Sequence, residues 1–136
     1  MKKLGNINII GTEYTVYYYP NEFKELNQDS RERDERYGIK RENPEEKVDG
    51  YCDYSAKEIR IFNDDFTHPE YFQMIMRHEI CHAFLFEIGN TNHNNEEMID
   101  KLSKWTPQIM RLTEEGMEMI KRATSKKEPR SKKTDK

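Results

Sequence analysis

Apolar, β-branched and aromatic residues gather in a few short stretches, and those stretches predict the elements. "NINIIGTEYTVYYYP" gives an apolar run, a Gly-Thr break and a β-branched and aromatic run ended by Pro20. That is the pattern of a hairpin with strands over about residues 6 to 10 and 13 to 19. Asn21 then stands where it can cap a short helix reaching about Leu26. "VDGYCDYSAKEIRIF" has strand character on both sides of Ser55-Ala56-Lys57, which predicts a second hairpin whose last strand covers about Glu58 to Phe62. "NDDFTHPEYFQ" supplies a helix start, with Thr67 as its cap and Pro69 tolerated in the first turn. The helix should run to about Ile88 and stop at Gly89. After the turn-rich "NTNHNN", Asn95 is placed to cap a last helix that carries Met98, Leu102, Trp105 and Ile109 on one side, with Pro107 marking a kink or a restart.

Between the two hairpins the pattern fades. From Asp29 to Lys47, thirteen of nineteen residues are charged, seven acidic and six basic, and Gly38 and Pro44 interrupt any helix. Residues 28–47 therefore read as a solvated, mobile connection with at most a helical turn. At the other end, "RATSKKEPRSKKTDK" has no apolar residue but Ala123, so residues 123–136 should be a basic disordered tail. A chain of 136 residues has room for one compact domain with a modest core, here residues 1–122. The expected fold class is α+β: a small antiparallel sheet of two hairpins, packed on the helix after the second hairpin and on the helix that follows.

Composition refines this picture in three places. Charged residues make up 36% of the chain against 34% apolar, which leaves the core to the few segments already named. The amino terminus has no run fit for a signal peptide and no window approaches a membrane span, so a soluble, cytoplasmic protein is expected. Cys52 and Cys81 form no C-x-x-C and read as reduced core thiols. Residues 121–136 hold eight Lys/Arg against two acids, a balance of +6, so residues 1–120 carry −9 of the total of −3.

The candidate chemistry lies in "MRHEICHAF", Met76 to Phe84. His78 and His82 lie one turn apart on a helix, so both imidazoles can reach one ion, and Glu79 lies at the edge of the same arc. The helix is otherwise apolar nearly all round, with Arg77 and Glu87 as the obvious solvent residues, and such a helix is normally buried. Burying two imidazoles and a carboxylate without partners costs several kcal/mol. A zinc ion compensates them, since neutral imidazole is among its preferred ligands. Catalytic zinc usually takes three protein ligands, and "NNEEMID" stands downstream with Glu96, Glu97 and Asp100, preceded by His93. Glu96 and Asp100 share a helix face, so Glu96 can coordinate the metal while Asp100 accepts a hydrogen bond from a ligand imidazole. His93 and Glu97 are the alternative third ligands.

"HEICH" followed by "NEEMID" resembles the zincin metallopeptidases of the gluzincin type, in which H-E-x-x-H is followed on the next helix by N-E-x-x-x-D. The resemblance implies His78, His82 and Glu96 as zinc ligands, Glu79 as general base and Asp100 as the orienting acid. Thirteen residues separate His82 from Glu96, fewer than in large gluzincins, which implies a tight helix-loop-helix. The order of elements also resembles the small zinc peptidases of phages and mobile elements, including the ImmA/IrrE-like group. "HEICHAFLF" is similar to the SprT/Spartan family, whose third ligand is a later histidine, for which His93 is the candidate.

The implied activity is hydrolysis of a peptide bond in a protein or peptide substrate. Glu79 takes the proton of a zinc-activated water, and Tyr71, His68 or His93 is a candidate to stabilise the oxyanion. Strand 58–62 is a candidate edge for an extended substrate. Two other readings remain open: a regulatory or scaffold protein with non-catalytic zinc, and a DNA-associated protease whose basic tail, 121–136, binds phosphate backbone.

Overall fold

The computed structural model describes residues 1–43, 45–64 and 68–127; Pro44, Thr67 and residues 128–136, which carry parts of the expectations above, lie outside them. Contacts divide the chain into two compact units, Met1–Ser103 and Lys104–Lys136.

The first unit contains four strands and two helices, β1 (Lys2–Ile9), β2 (Thr12–Pro20), α1 (Phe23–Arg36), β3 (Gly50–Asp53), β4 (Glu58–Asn63) and α2 (Pro69–Glu87), together with the start of α3 (Glu96–Lys127). The chain is α+β, and both hairpins form. In the first, Ile10 and Gly11 make a two-residue turn with φ of 51° and 86°. That conformation suits a right-twisted hairpin and is unusual for a β-branched residue such as Ile10.

The sheet is mixed rather than antiparallel. Its order is β1-β2-β4-β3, with antiparallel pairs at β1/β2 and β3/β4 and a parallel pair at β2/β4. A parallel pair requires a long crossover. Residues 21–57 supply it, and they contain α1, which continues the short helix expected to end near Leu26 as far as Arg36, into the stretch expected to be a mobile connection. Asn21 does not cap this helix; its φ is 57°, its backbone N–H donates to the Asn63 carbonyl, and Glu22 occupies the capping position. Gly38, with φ of 68°, closes the other end, as its N–H meets the Glu35 carbonyl.

α1 escapes a hydrophobic reading because its buried face is mostly polar: Leu26, Asn27, Ser30 and Asp34. Each buried polar group has a partner. Asn27 donates to the Val48 carbonyl and accepts from the Val48 N–H, while Arg41 binds Asp34 at 2.6 Å and Ser30 at 2.7 Å. Satisfied in this way, polar groups can be buried without a large penalty.

The sheet is covered on both faces. Ile9, Tyr14, Cys52, Ile59 and Ile61 pack with Ile75 and Ala83 of α2, and Tyr19 and Tyr51 pack with Leu26 of α1. Alternation along β2 divides Tyr14 and Val16 from Tyr17 and Tyr19 between the two faces. Because β4 lies between β2 and β3, strand 58–62 is not an edge; the sheet ends at β1 and β3. The Cys52 carbonyl of β3 accepts from Arg33 Nη1 at 2.8 Å.

α3 is a single helix in which Pro107 causes no break, and it continues to Lys127, into the stretch expected to be disordered from residue 123. In the second unit, the described residues 104–127 are all helical. Among the described residues, no helix is long and apolar enough to cross a membrane.

Candidate metal centre

α2 begins at Pro69, whose missing N–H suits the first helical position. The imidazole of His68 caps the helix by accepting from the Glu70 N–H at 3.2 Å. At the far end Gly89 turns the chain with φ of 76°, and the Asn90 N–H returns to the Leu85 carbonyl. The loop then closes on its own asparagines, and Asn95 Oδ1 accepts from the Met98 N–H, so α3 starts where the sequence places it. The helix-loop-helix is tight enough to set the first turn of α3 against His78 and His82.

Both polar residues expected to face solvent on α2 are struts instead. Glu87 accepts from Thr12 Oγ1 at 2.9 Å, Tyr14 Oη at 2.7 Å and Lys57 Nζ at 2.8 Å, which ties the end of α2 to the sheet. Lys57, then Tyr14, hold the Glu87 carboxyl down at about 2. Arg77 Nε donates to the Ser103 carbonyl at 2.6 Å. That carbonyl would receive the N–H of residue 107 in a regular helix, and Pro107 has none. Arg77 thus satisfies the group that the proline orphans, and the helix passes through Pro107 unbroken.

His78, His82 and Glu96 converge. The two Nε2 atoms stand 3.2 Å apart. Glu96 reaches both, Oε1 to His78 Nε2 and Oε2 to His82 Nε2, each at 3.0 Å. The opposite ring nitrogens are occupied by acceptors: His78 Nδ1 meets Asp100 Oδ1 at 3.1 Å, and His82 Nδ1 meets the His93 carbonyl at 2.6 Å. Since a carboxylate and a carbonyl only accept, each neutral ring carries its proton on Nδ1 and turns a bare Nε2 lone pair toward Glu96. Two lone pairs and a carboxylate facing one point form a ligand set that a cation can fill.

The dimensions suit one. Zinc binds imidazole nitrogen at about 2.0–2.1 Å in a tetrahedron, which sets neighbouring ligand atoms roughly 3.3 Å apart. The separations of 3.0 to 3.2 Å lie close to that value. The three side chains form a group able to hold a metal ion.

Protonation of the imidazoles is the competing way to place positive charge beside Glu96. Burial opposes charge on His78 and His82, yet hydrogen bonds to Glu96 and the nearby Glu79 carboxyl outweigh it, and both pKa values rise. Glu96 is largely exposed and only partly desolvated, and the two imidazoles hold it at about 2. Glu79 is different: it is buried, and desolvation lifts it to about 7 against the pull of both histidines.

The remaining candidates make other contacts. His93 contributes its carbonyl, while its ring packs edge-on against Tyr54 and Phe86 and its buried Nδ1 has no partner among the described residues. Glu97 is absent from the metal-ligating group formed by the described residues. Tyr71 donates to Asp49 Oδ2 at 2.6 Å, and His68 is engaged in capping. Cys81 is a half-buried free thiol, and Cys52 is buried and free.

Tyr54 is the residue that the sequence pattern did not single out. Its ring stacks on Phe86 at 4.5 Å, and its hydroxyl lies 3.1 Å from His82 Nδ1, 3.0 Å from the His93 carbonyl and 2.9 Å from Asn94 Oδ1. Only its position after the short β3 strand could have drawn attention to it.

No protein-family model, curated protein or solved structure matches this chain. The class that fold and site define is an α+β chain with a His-His-carboxylate centre between two successive helices.

Proposed function

We propose that the chain is a zinc-dependent metallopeptidase of the zincin type, with His78, His82 and Glu96 as ligands and Glu79 as general base. The observation that carries this reading is the triangle of two Nε2 atoms and the Glu96 carboxylate, whose rings are held in the metal-binding tautomer by Asp100 and the His93 carbonyl. Bound zinc would supply Lewis acidity toward a carbonyl and lower the pKa of water.

The chain's own groups divide the remaining work. His78 and His82, neutral when ligating, leave Glu96 as the one charged ligand. Glu79, adjacent to His78 in sequence and lifted to about 7, suits proton transfer near neutral pH: it accepts a proton from the attacking water and returns it to the leaving amine. A structural zinc site has no use for such a carboxyl.

The test is cleavage of an unfolded protein substrate by the zinc-loaded chain and by Glu79→Gln. The wild type should cleave, and Glu79→Gln should keep its zinc and lose turnover by at least about a hundredfold. A Glu79→Gln protein as active as the wild type removes the mechanism, and a zinc-loaded wild type that cleaves no protein or peptide favours a regulatory role.

A further inference from the structure

The described part of the second unit is a helix whose apolar residues are open to solvent. Trp105, Ile109, Leu112 and Met119 are 54%, 58%, 56% and 61% exposed. With Gly116 and Ala123 they form one row, spaced four, three, four, three and four residues apart. A 3.5-residue repeat is the spacing that keeps a seam facing a second helix over several turns, and a solitary solvated helix has no need of it. Pro107 lies off the row.

Gly116 is the odd member. It sits mid-helix without a positive φ, and a Cβ added there would meet nothing within 4 Å. A helix interior disfavours glycine, and nothing among the described residues asks for one here. Trp105, the largest residue on the row, is equally unexplained. The two fit each other across a two-fold axis. If two copies of the helix pair antiparallel, with the axis between Met110 and Arg111, Trp105 of one copy lies opposite Gly116 of the other, and Ile109 lies opposite Leu112. Four successive layers then match large with small and medium with medium. Parallel pairing in register would instead stack Trp105 on its own copy and leave a void at Gly116.

We propose that residues 104–117 are a self-association surface, and that its occupant is the same helix of a second copy, antiparallel, with Trp105 seated on Gly116. Taking about 200 Å² for a large apolar side chain, the exposed portions of Trp105, Ile109 and Leu112, the large members of those four layers, amount to roughly 340 Å² per chain. That is below the roughly 800 Å² per partner of a standard interface, so the association is weak and depends on concentration.

Trp105 is the one tryptophan of the chain, so its emission reports the seam directly. The experiment is sedimentation velocity with tryptophan fluorescence over a concentration series of the full-length protein. The wild type should shift toward twice the chain mass, with a blue shift of Trp105 emission over the same range. Gly116→Leu should become more helical by circular dichroism while its dissociation constant rises at least tenfold. The exchange of Trp105→Gly with Gly116→Trp, which preserves the large-small pairing, should restore association. A wild type that stays monomeric with solvated tryptophan emission overturns the proposal, as does a Gly116→Leu protein that associates as tightly as the wild type. Neither readout depends on metal.

Discussion

Asp100 and His78 are joined Oδ1 to Nδ1 at 3.1 Å, one helical turn beyond the point where Glu96 meets the same ring through Nε2. Two acids of α3, four residues apart, thus hold the two nitrogens of one imidazole. The inner acid faces the cation position, and the outer one fixes the tautomer. Asp100→Ala should leave the fold intact and weaken zinc binding about 10–100-fold, the usual cost of removing such a partner. Competition with a chromophoric chelator measures it, and an unchanged affinity would remove Asp100 from the centre.

Tyr54 does for His82 what Asp100 does for His78, in company with the His93 carbonyl. Tyr54→Phe keeps the stack on Phe86 and removes only the hydroxyl. Zinc affinity should fall by about tenfold while the melting temperature of the metal-free protein changes little. If Tyr54→Leu weakens zinc no more than Tyr54→Phe, the hydroxyl carries the effect; if Tyr54→Phe binds like the wild type, packing carries it.

The Glu87 network should appear in acid stability. The Glu87 carboxyl lies near 2 in the folded chain against 4.5 in the reference state. Its contribution is therefore fully present above about pH 4.5, where the unfolded chain is also ionised, and is lost as pH falls through about 2. Glu87→Gln should be less stable than the wild type by about 2 kcal/mol at neutral pH, and the two should converge between pH 4.5 and 2. Urea denaturation across that range checks the sign.

Arg77→Ala leaves the Ser103 carbonyl without its donor and should destabilise the protein by about 1–3 kcal/mol. Adding Pro107→Ala restores a helical N–H to that carbonyl and should recover most of the loss. Failure of the second change to rescue the first, in thermal or urea unfolding, would separate Arg77 from the proline.

Much of this was legible in the sequence, and the parts that were not share a cause. Both hairpins, α2 with Gly89 beyond its end, and Asn95 at the start of α3 followed from periodicity and turn chemistry. The pairing of His78 with His82 followed from helical spacing, and the short loop offered Glu96 as their partner with His93 and Glu97 as alternatives. α1 was hidden because its buried face is Asn27, Ser30 and Asp34 around a single Leu26, which periodicity reads as solvent. Ending that helix near Leu26 also concealed the parallel β2/β4 pair that the full crossover permits. Glu87 and Arg77 looked solvated because charge predicts exposure until a distant partner is known, and Thr12, Tyr14 and Ser103 are remote in sequence. Tyr54 lacked a local signal for the same reason, since its three polar contacts are 28 to 40 residues away.

The zinc content of the purified protein, measured beside Glu96→Ala, Glu97→Ala and His93→Ala, addresses the centre most directly. One zinc per chain should be retained by the wild type, Glu97→Ala and His93→Ala, and lost from Glu96→Ala under the same dialysis. A Glu96→Ala protein that keeps its zinc, or a wild type that binds none, would contradict the three-ligand centre.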